Sequence, residues 1–354
     1  MKTKTALKRR FITTFGLFSL ISLQACSVNP LVPAETLQLS DSEPSTQLAK
    51  EPAVATIQTA YNSIILNSQT RQPITPQQLT AQLKGVDVVF LGEFHGNHAS
   101  HWLQAQLQNL LYQQHPNQVL SMEQFNRDQQ PILNRYLDGE IGEAYLVNEA
   151  PAWDNYTASY RPLVEFAKQH FLPVIAANAP ADTVRCIGRQ GEAYLEKLTT
   201  EEASLIAQQP LQEVEGYRAL FMNFMDGSSH FDEGKANNSY LAQLSRDNTM
   251  AESILKALQA NPGAQVIHTN GAFHSDKALG TVGALKRLDP TLNIKILSPV
   301  HVDPTQPMQF SEAVYENGDY LYLLQPQPAK YQLASYRQQA FKRMFQKADA
   351  KVCK

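Results

Sequence analysis

A run rich in β-branched and aromatic residues, Val-Asp-Val-Val-Phe-Leu over residues 86–91, stands between Gly85 and Gly92. Such a run reads as a buried strand of a parallel sheet, because parallel sheets are covered on both faces. Directly after it come Glu93, His95, His98 and His101. In open α/β sheets, ligands bind outside the C-terminal ends of the strands. A second copy of the Gly-x-x-His pattern lies far downstream at Gly271-Ala-Phe-His274, again just after a strand-like run over residues 265–269. Two histidine-bearing loops at two strand ends are expected to face each other across one site.

Further strands are expected over residues 118–122, 173–177, 294–297 and 320–324. Helical patterns separate several of them. Trp102, Leu103, Leu107, Leu110 and Leu111 recur at helical spacing after the first strand, and Ile132, Leu133, Tyr136 and Leu137 after the second. This alternation predicts an α/β fold, a parallel β-sheet core flanked by helices. The strand signal disappears over roughly residues 182–246, where helical patterns dominate and a smaller helical insertion or subdomain is expected. The whole of 61–354 is then one α/β domain with that insertion.

The first 26 residues read as an address. Lys2, Lys4, Lys8, Arg9 and Arg10 precede an apolar stretch over 11–23 that is short for a membrane span. Leu23-Gln-Ala-Cys26 matches a bacterial lipobox, which makes Cys26 the expected lipidation site and the protein an anchored lipoprotein. Ser27 after the cysteine favours the outer membrane. Residues 27–60, rich in Pro, Ser, Gln, Thr and Ala, read as a flexible tether. Without the five basic residues of the signal, 25 basic stand against 33 acidic residues. That balance disfavours nucleic acid as a partner. Cys186 and Cys353 are the remaining cysteines, and an exported chain leaves two readings open, a disulfide or two separate thiols.

The chemistry concentrates in a few places. Imidazole and carboxylate ligate zinc, manganese or iron, and histidine also transfers protons. One of Glu93 and His95 is expected to face away from the site, whereas His98 and His101 share a face of the next helix. Glu123 follows the second strand, and Asn178 the third, where it is equally ordinary turn chemistry. Trp153, Tyr156 and Tyr160 form an aromatic cluster, and a tyrosine oxygen is one of the groups that ligate haem iron. Tyr217, Met222, Met225 and His230 are further soft or haem-compatible groups in the helical stretch. Arg246-Asp247 is either a solvated pair or a guanidinium aimed at an anionic ligand.

Taken in order, Leu91-Gly-Glu-Phe-His95, Met122-Glu123, the Trp153, Tyr156 and Tyr160-Arg-Pro segment, Val174-Ile-Ala-Ala-Asn178, Gln243-x-x-Arg246-Asp247 and Gly271-Ala-Phe-His274 are similar to a known pattern. Over residues 80–290 the chain resembles the ChaN-like lipoproteins, a haem-binding branch of the superfamily that includes Tiki, TraB and erythromycin-esterase-like proteins. The resemblance implies haem as cofactor and a role in haem or iron uptake at the envelope, alongside an outer-membrane haem or iron transporter and with a homodimer as a possible state. It implies a tyrosine as iron ligand, with Tyr156, Tyr160 and Tyr217 all open, and Arg246 and His98 as further cofactor contacts. The alternative that it implies is a metal-dependent hydrolase, a peptidase or esterase. There His95, His274, Glu93 and Glu123 would hold a divalent ion (Mn, Co or Zn), and Glu93 or Glu123 would activate water.

Overall fold

The structure, a computed structural model, describes residues 57–150, 153–226, 233–306, 308–349 and 351–354. Cys26 and its signal, nearly all of the expected tether and His230 lie outside the described residues. Eight strands form one sheet: β1 (Ser63–Asn67), β2 (Pro73–Ile74), β3 (Val88–Glu93), β4 (Gln118–Asn126), β5 (Val174–Asn178), β6 (Gln265–Gly271), β7 (Ile294–His301) and β8 (Tyr320–Leu324). In space their order is β2-β1-β8-β7-β3-β6-β4-β5. From β8 to β5 every pairing is parallel. β1 runs antiparallel to both β8 and β2 and closes one side. The α/β architecture expected from the alternation is present.

The run that opens the sequence pattern explains why β3 is central. Its residues alternate between faces. Val88 and Phe90 pack with Ile254, Val266 and Leu285. Val89 and Leu91 pack on the other face with Leu103, Leu107 and Leu111. Burying each such side chain is worth roughly 1.5–3 kcal/mol, so a one-residue slip of β3 would forfeit both layers.

The helix His98–Gln114 covers the Leu91 face. It starts where Asn97 accepts hydrogen bonds from the amides of Ala99 and Ser100, satisfying donors that have no partner inside the helix. The exposed edge of β5 is answered by one side chain: Gln130 Nε2 donates to the Val174 carbonyl (2.9 Å), and its Oε1 accepts from the Ala176 amide (2.7 Å). Gln130 thus mimics a neighbouring strand.

No strand occurs between β5 and β6 among the described residues. That stretch holds the helices Ala181–Gln190, Thr200–Ser204, Tyr217–Asp226 and Glu233–Ala260. The last of these crosses the sheet, and its Ser253 hydroxyl donates to the Ala177 carbonyl at 2.9 Å. Ile57, within the expected tether, is buried against Ile64 and Leu66. Cys186 and Cys353 form a disulfide that ties the C-terminal tail to the helix Ala181–Gln190.

Candidate functional site

β3 and β4 follow one another in sequence, yet β6 lies between them in the sheet. The register sets Glu93 beside Gly271, and Met122 beside Thr269. Glu93, Glu123 and the turn after Gly271 therefore emerge side by side at the C-terminal edge. Insertion of β6 between two earlier strands brings residues 93–95 and 271–274 together.

Glu93 is buried on the Leu91 face, among donors. It accepts from His95 Nδ1 (2.7 Å), the Tyr160 hydroxyl (2.6 Å) and Gln104 Nε2 (2.7 Å). Burial pushes its pKa up. The hydrogen bond and the charge of His95, and the Tyr160 hydroxyl, outweigh that and hold it below the usual carboxylate range. His101 Nε2 accepts the Gly96 amide at 3.0 Å, so its proton sits on Nδ1, facing Gln104 and Glu93.

The expectation that one of Glu93 and His95 faces away from the site is corrected, since both line the same cavity. β3 stops at Glu93 and the chain turns at once, with the Asn97 amide donating to the Phe94 carbonyl and Gly96 at φ +78°. That left-handed backbone favours glycine. The turn folds His95 back onto Glu93. Gly271 makes room for it, because a Cβ there would lie 2.7 Å from His95 Nε2.

The second pair is deeper. His274 is buried, with Nδ1 donating to Asp247 Oδ1 at 2.7 Å and Nε2 3.4 Å from Glu123 Oε1. Asp247 also accepts the Thr281 hydroxyl, and Glu123 accepts the Gly271 amide at 2.6 Å. Burial pushes the His274 pKa down, but the charges of Asp247 and Glu123 prevail and hold it up at about 10. Burial acts on Glu123 in the opposite sense and is overcome by the His274 charge, which keeps this carboxyl well below its ordinary range. An imidazolium clasped by two carboxylates results.

Above these pairs opens a cavity of about 660 Å³, within the usual span for small-molecule sites. His95 and His274 both line it, with Phe94, Trp153, Phe221, Phe224 and Phe273 as aromatic walls. The edge of Trp153 meets the His95 ring with centroids 4.7 Å apart. Gln243, Arg246 and Asp276 are further polar groups of the lining. Consecutive residues of a helix diverge by about 100°. Asp247 accordingly turns inward to His274, while half-buried Arg246 faces the cavity, and the two are not paired. The Arg246 guanidinium has no hydrogen-bond or ion-pair partner among the described residues, and the same holds for His95 Nε2.

Several expected site residues stand elsewhere. His98 is exposed on the first turn of its helix and stacks on Tyr61, with ring centroids 5.2 Å apart, outside the cavity. Tyr156, Tyr160 and Tyr217 are all buried, and none of them lines the cavity. Tyr156 packs against Phe125 and its hydroxyl has no partner; Tyr160 donates to Glu93; Tyr217 accepts from Gln243. Burial first, and then neighbouring acidic or phenolic groups, push all three hydroxyls well above the ordinary tyrosine range, so a phenolate is not presented to the cavity. Asn178 does turn chemistry, with Oδ1 accepting the Ala179 amide.

The expected metal set, His95, His274, Glu93 and Glu123, does converge at this edge of the sheet. Among the described residues no three histidine, cysteine or acidic groups assemble as a metal site. Pattern reading missed Gln104, Phe221, Phe224, Phe273 and Asp276. Gln104 lies three residues after His101, so helical spacing was the available signal. A phenylalanine in a helical stretch carries no signal that separates a cavity wall from core.

No curated protein sequence matches the chain. Among solved structures it is similar to ChaN of Campylobacter jejuni, described with cofacial haem binding, at 16% identity and a TM-score of 0.56, covering 75% of this chain and 97% of that one. More distant are an erythromycin esterase, EreC, in its open conformation (13% identity, TM-score 0.40, covering 78% and 86%) and a Bacillus cereus protein (13%, 0.44, covering 77% and 94%). The sequence profile described as haem-binding uptake, Tiki superfamily, ChaN matches residues 79–285. The chain belongs to this ChaN family of haem-binding uptake proteins.

Proposed function

We propose that this protein binds haem in the cavity between the C-terminal edge of the sheet and the helix Glu233–Ala260, as a carrier in haem or iron handling at the cell envelope. The observation that carries the reading is Arg246, a half-buried guanidinium without a partner in a cavity walled by aromatic rings. A permanent cation left unpaired there suits an anionic group on a flat apolar ligand, and haem, with its propionates, is such a ligand. The site fits that group.

Arg246 would hold a propionate, and Trp153, Phe224 and Phe273 would contact the macrocycle. His95 takes the place of the expected tyrosine as iron ligand. Its Nδ1 is oriented by Glu93 while Nε2 has no partner; the nitrogens of His274, by contrast, face Asp247 and Glu123. A carboxylate behind a ligating imidazole fixes its orientation and raises its basicity. Bound haem would supply its redox-active iron, and the aromatic walls would limit water around it.

An envelope location is supported by the Cys186–Cys353 disulfide, which persists in oxidising compartments, and by the lipobox at Cys26. A lipid-anchored carrier of this kind would exchange haem with an outer-membrane transporter. Hemin titration followed at the Soret band tests the reading. Wild type should bind saturably, and Arg246→Gln should weaken binding about tenfold to a hundredfold, the loss of one charge-assisted hydrogen bond. Equal affinity of the two proteins would refute the assignment of Arg246.

A further inference from the structure

After β8 the chain ends in the helix Ala334–Asp349, preceded by Leu333. Leu333, Tyr336, Phe341 and Met344 are 69%, 54%, 44% and 53% exposed. With Ala340 they recur at i, i+3, i+7, i+8 and i+11, the spacing of an apolar stripe that needs a partner. Folded chains seldom leave such a stripe in water unless it binds something.

Charge says what it binds. From Lys330 to Lys354 there are seven basic residues and one acidic, whereas residues 27–329 hold 18 basic and 32 acidic. The end of the tail spends its charge on the body: Lys351 pairs with Asp182 at 3.2 Å, and Lys354 pairs with Glu202. On the helix, Arg337, Lys342 and Arg343 form no ion pair among the described residues, and Arg343 only overlies the Tyr336 ring. The disulfide at Cys353 holds the far end of this segment to the body.

We infer that the C-terminal helix docks in the plane of an anionic lipid surface. An interface of that kind takes apolar side chains into its acyl boundary and offers negative headgroups to the flanking lysine and arginine residues. Long basic side chains near the stripe extend toward the headgroups. Docking there would add a second contact to the N-terminal acyl anchor and fix how the body faces the membrane. The inference does not depend on haem binding.

Vesicle co-sedimentation of the full chain tests it, with phosphatidylethanolamine and phosphatidylglycerol at about 3:1 against phosphatidylcholine alone. An acyl anchor serves both vesicles alike, so the difference reads the helix. Binding should be tighter to the anionic vesicles and should fall at high salt. The triple variant Arg337→Gln, Lys342→Gln and Arg343→Gln should lose about fivefold per charge, roughly a hundredfold in all. These residues are exposed, and an unchanged melting curve verifies that the variant folds. Equal binding to both vesicles, or a triple variant that binds as wild type does, overturns the inference. So does a dimer that dissociates in Phe341→Ser without any lipid preference, since the stripe would then belong to a second copy.

Discussion

Gly271→Ala tests how His95 is seated at the end of β6. The glycine has φ −58°, so alanine meets no backbone strain there. Its new Cβ would instead lie 2.7 Å from His95 Nε2 and 2.9 Å from Cε1, distances that force the ring to move. Nδ1 is held by Glu93 at 2.7 Å, and the movement breaks that charge-assisted hydrogen bond. The loss should be about 1.5–3 kcal/mol, offset by roughly 0.4–1 kcal/mol from the stiffer unfolded chain. In a His95→Ala background the obstruction is gone, so Gly271→Ala should be neutral or slightly stabilising. Urea unfolding of the four proteins gives the coupling energy, which should be about 1.5–3 kcal/mol. A coupling below about 0.5 kcal/mol would mean that His95 does not rest on Gly271.

Tyr156→Phe should stabilise the fold by about 1 kcal/mol in urea unfolding, because it removes a buried hydroxyl that has no partner; a loss of that size would reveal a partner or a ligand. Cys353→Ser should cost about 2–5 kcal/mol, since the disulfide spans a sequence separation of 167 residues, and an unchanged melting temperature would show that the bond does not form. Stability should be greatest between about pH 4.5 and 6.5. Glu93 and Glu123, both lowered from 4.5, contribute above that pH and lose the contribution as pH falls through their folded values. His274, raised from 6.5 to about 10, contributes fully below 6.5 and loses this as pH rises through about 10. Asp276, raised by burial from 3.8 to about 7, disfavours the folded state increasingly over that interval. A melting-temperature optimum at about pH 8 or above would contradict these signs.

Much of the sheet was legible because its central strands carry local patterns. β3 begins with, and β8 consists of, residues apolar on both faces, while β4 and β6 announce themselves by the apolar pairs Val119-Leu120 and Val266-Ile267. β4 continues to Asn126, past the expected end at 122, because Glu123 and Gln124 look like loop residues but are buried among polar partners. β1 and β2 were not foreseen. Their short segments lie beside a polar stretch and become strands only by pairing with Tyr320–Leu324 and with each other. The meeting of residues 93–95 and 271–274 was readable from two strand ends with the same motif. The side to which His95 turns was not, since it depends on the Gly96 turn and the open face of Gly271. Nor could a sequence distinguish Arg246 in the cavity from Asp247 beneath it, or show that the tyrosines are sealed in the core.

The most direct test of haem in this cavity is the position of iron, located by anomalous scattering at the iron edge in crystals of the hemin complex. The account predicts one iron peak per chain beside His95, with a propionate at Arg246 and aromatic contact from Trp153 or Phe273. Iron bound elsewhere, or ligated by Tyr156, Tyr160 or Tyr217, would contradict it.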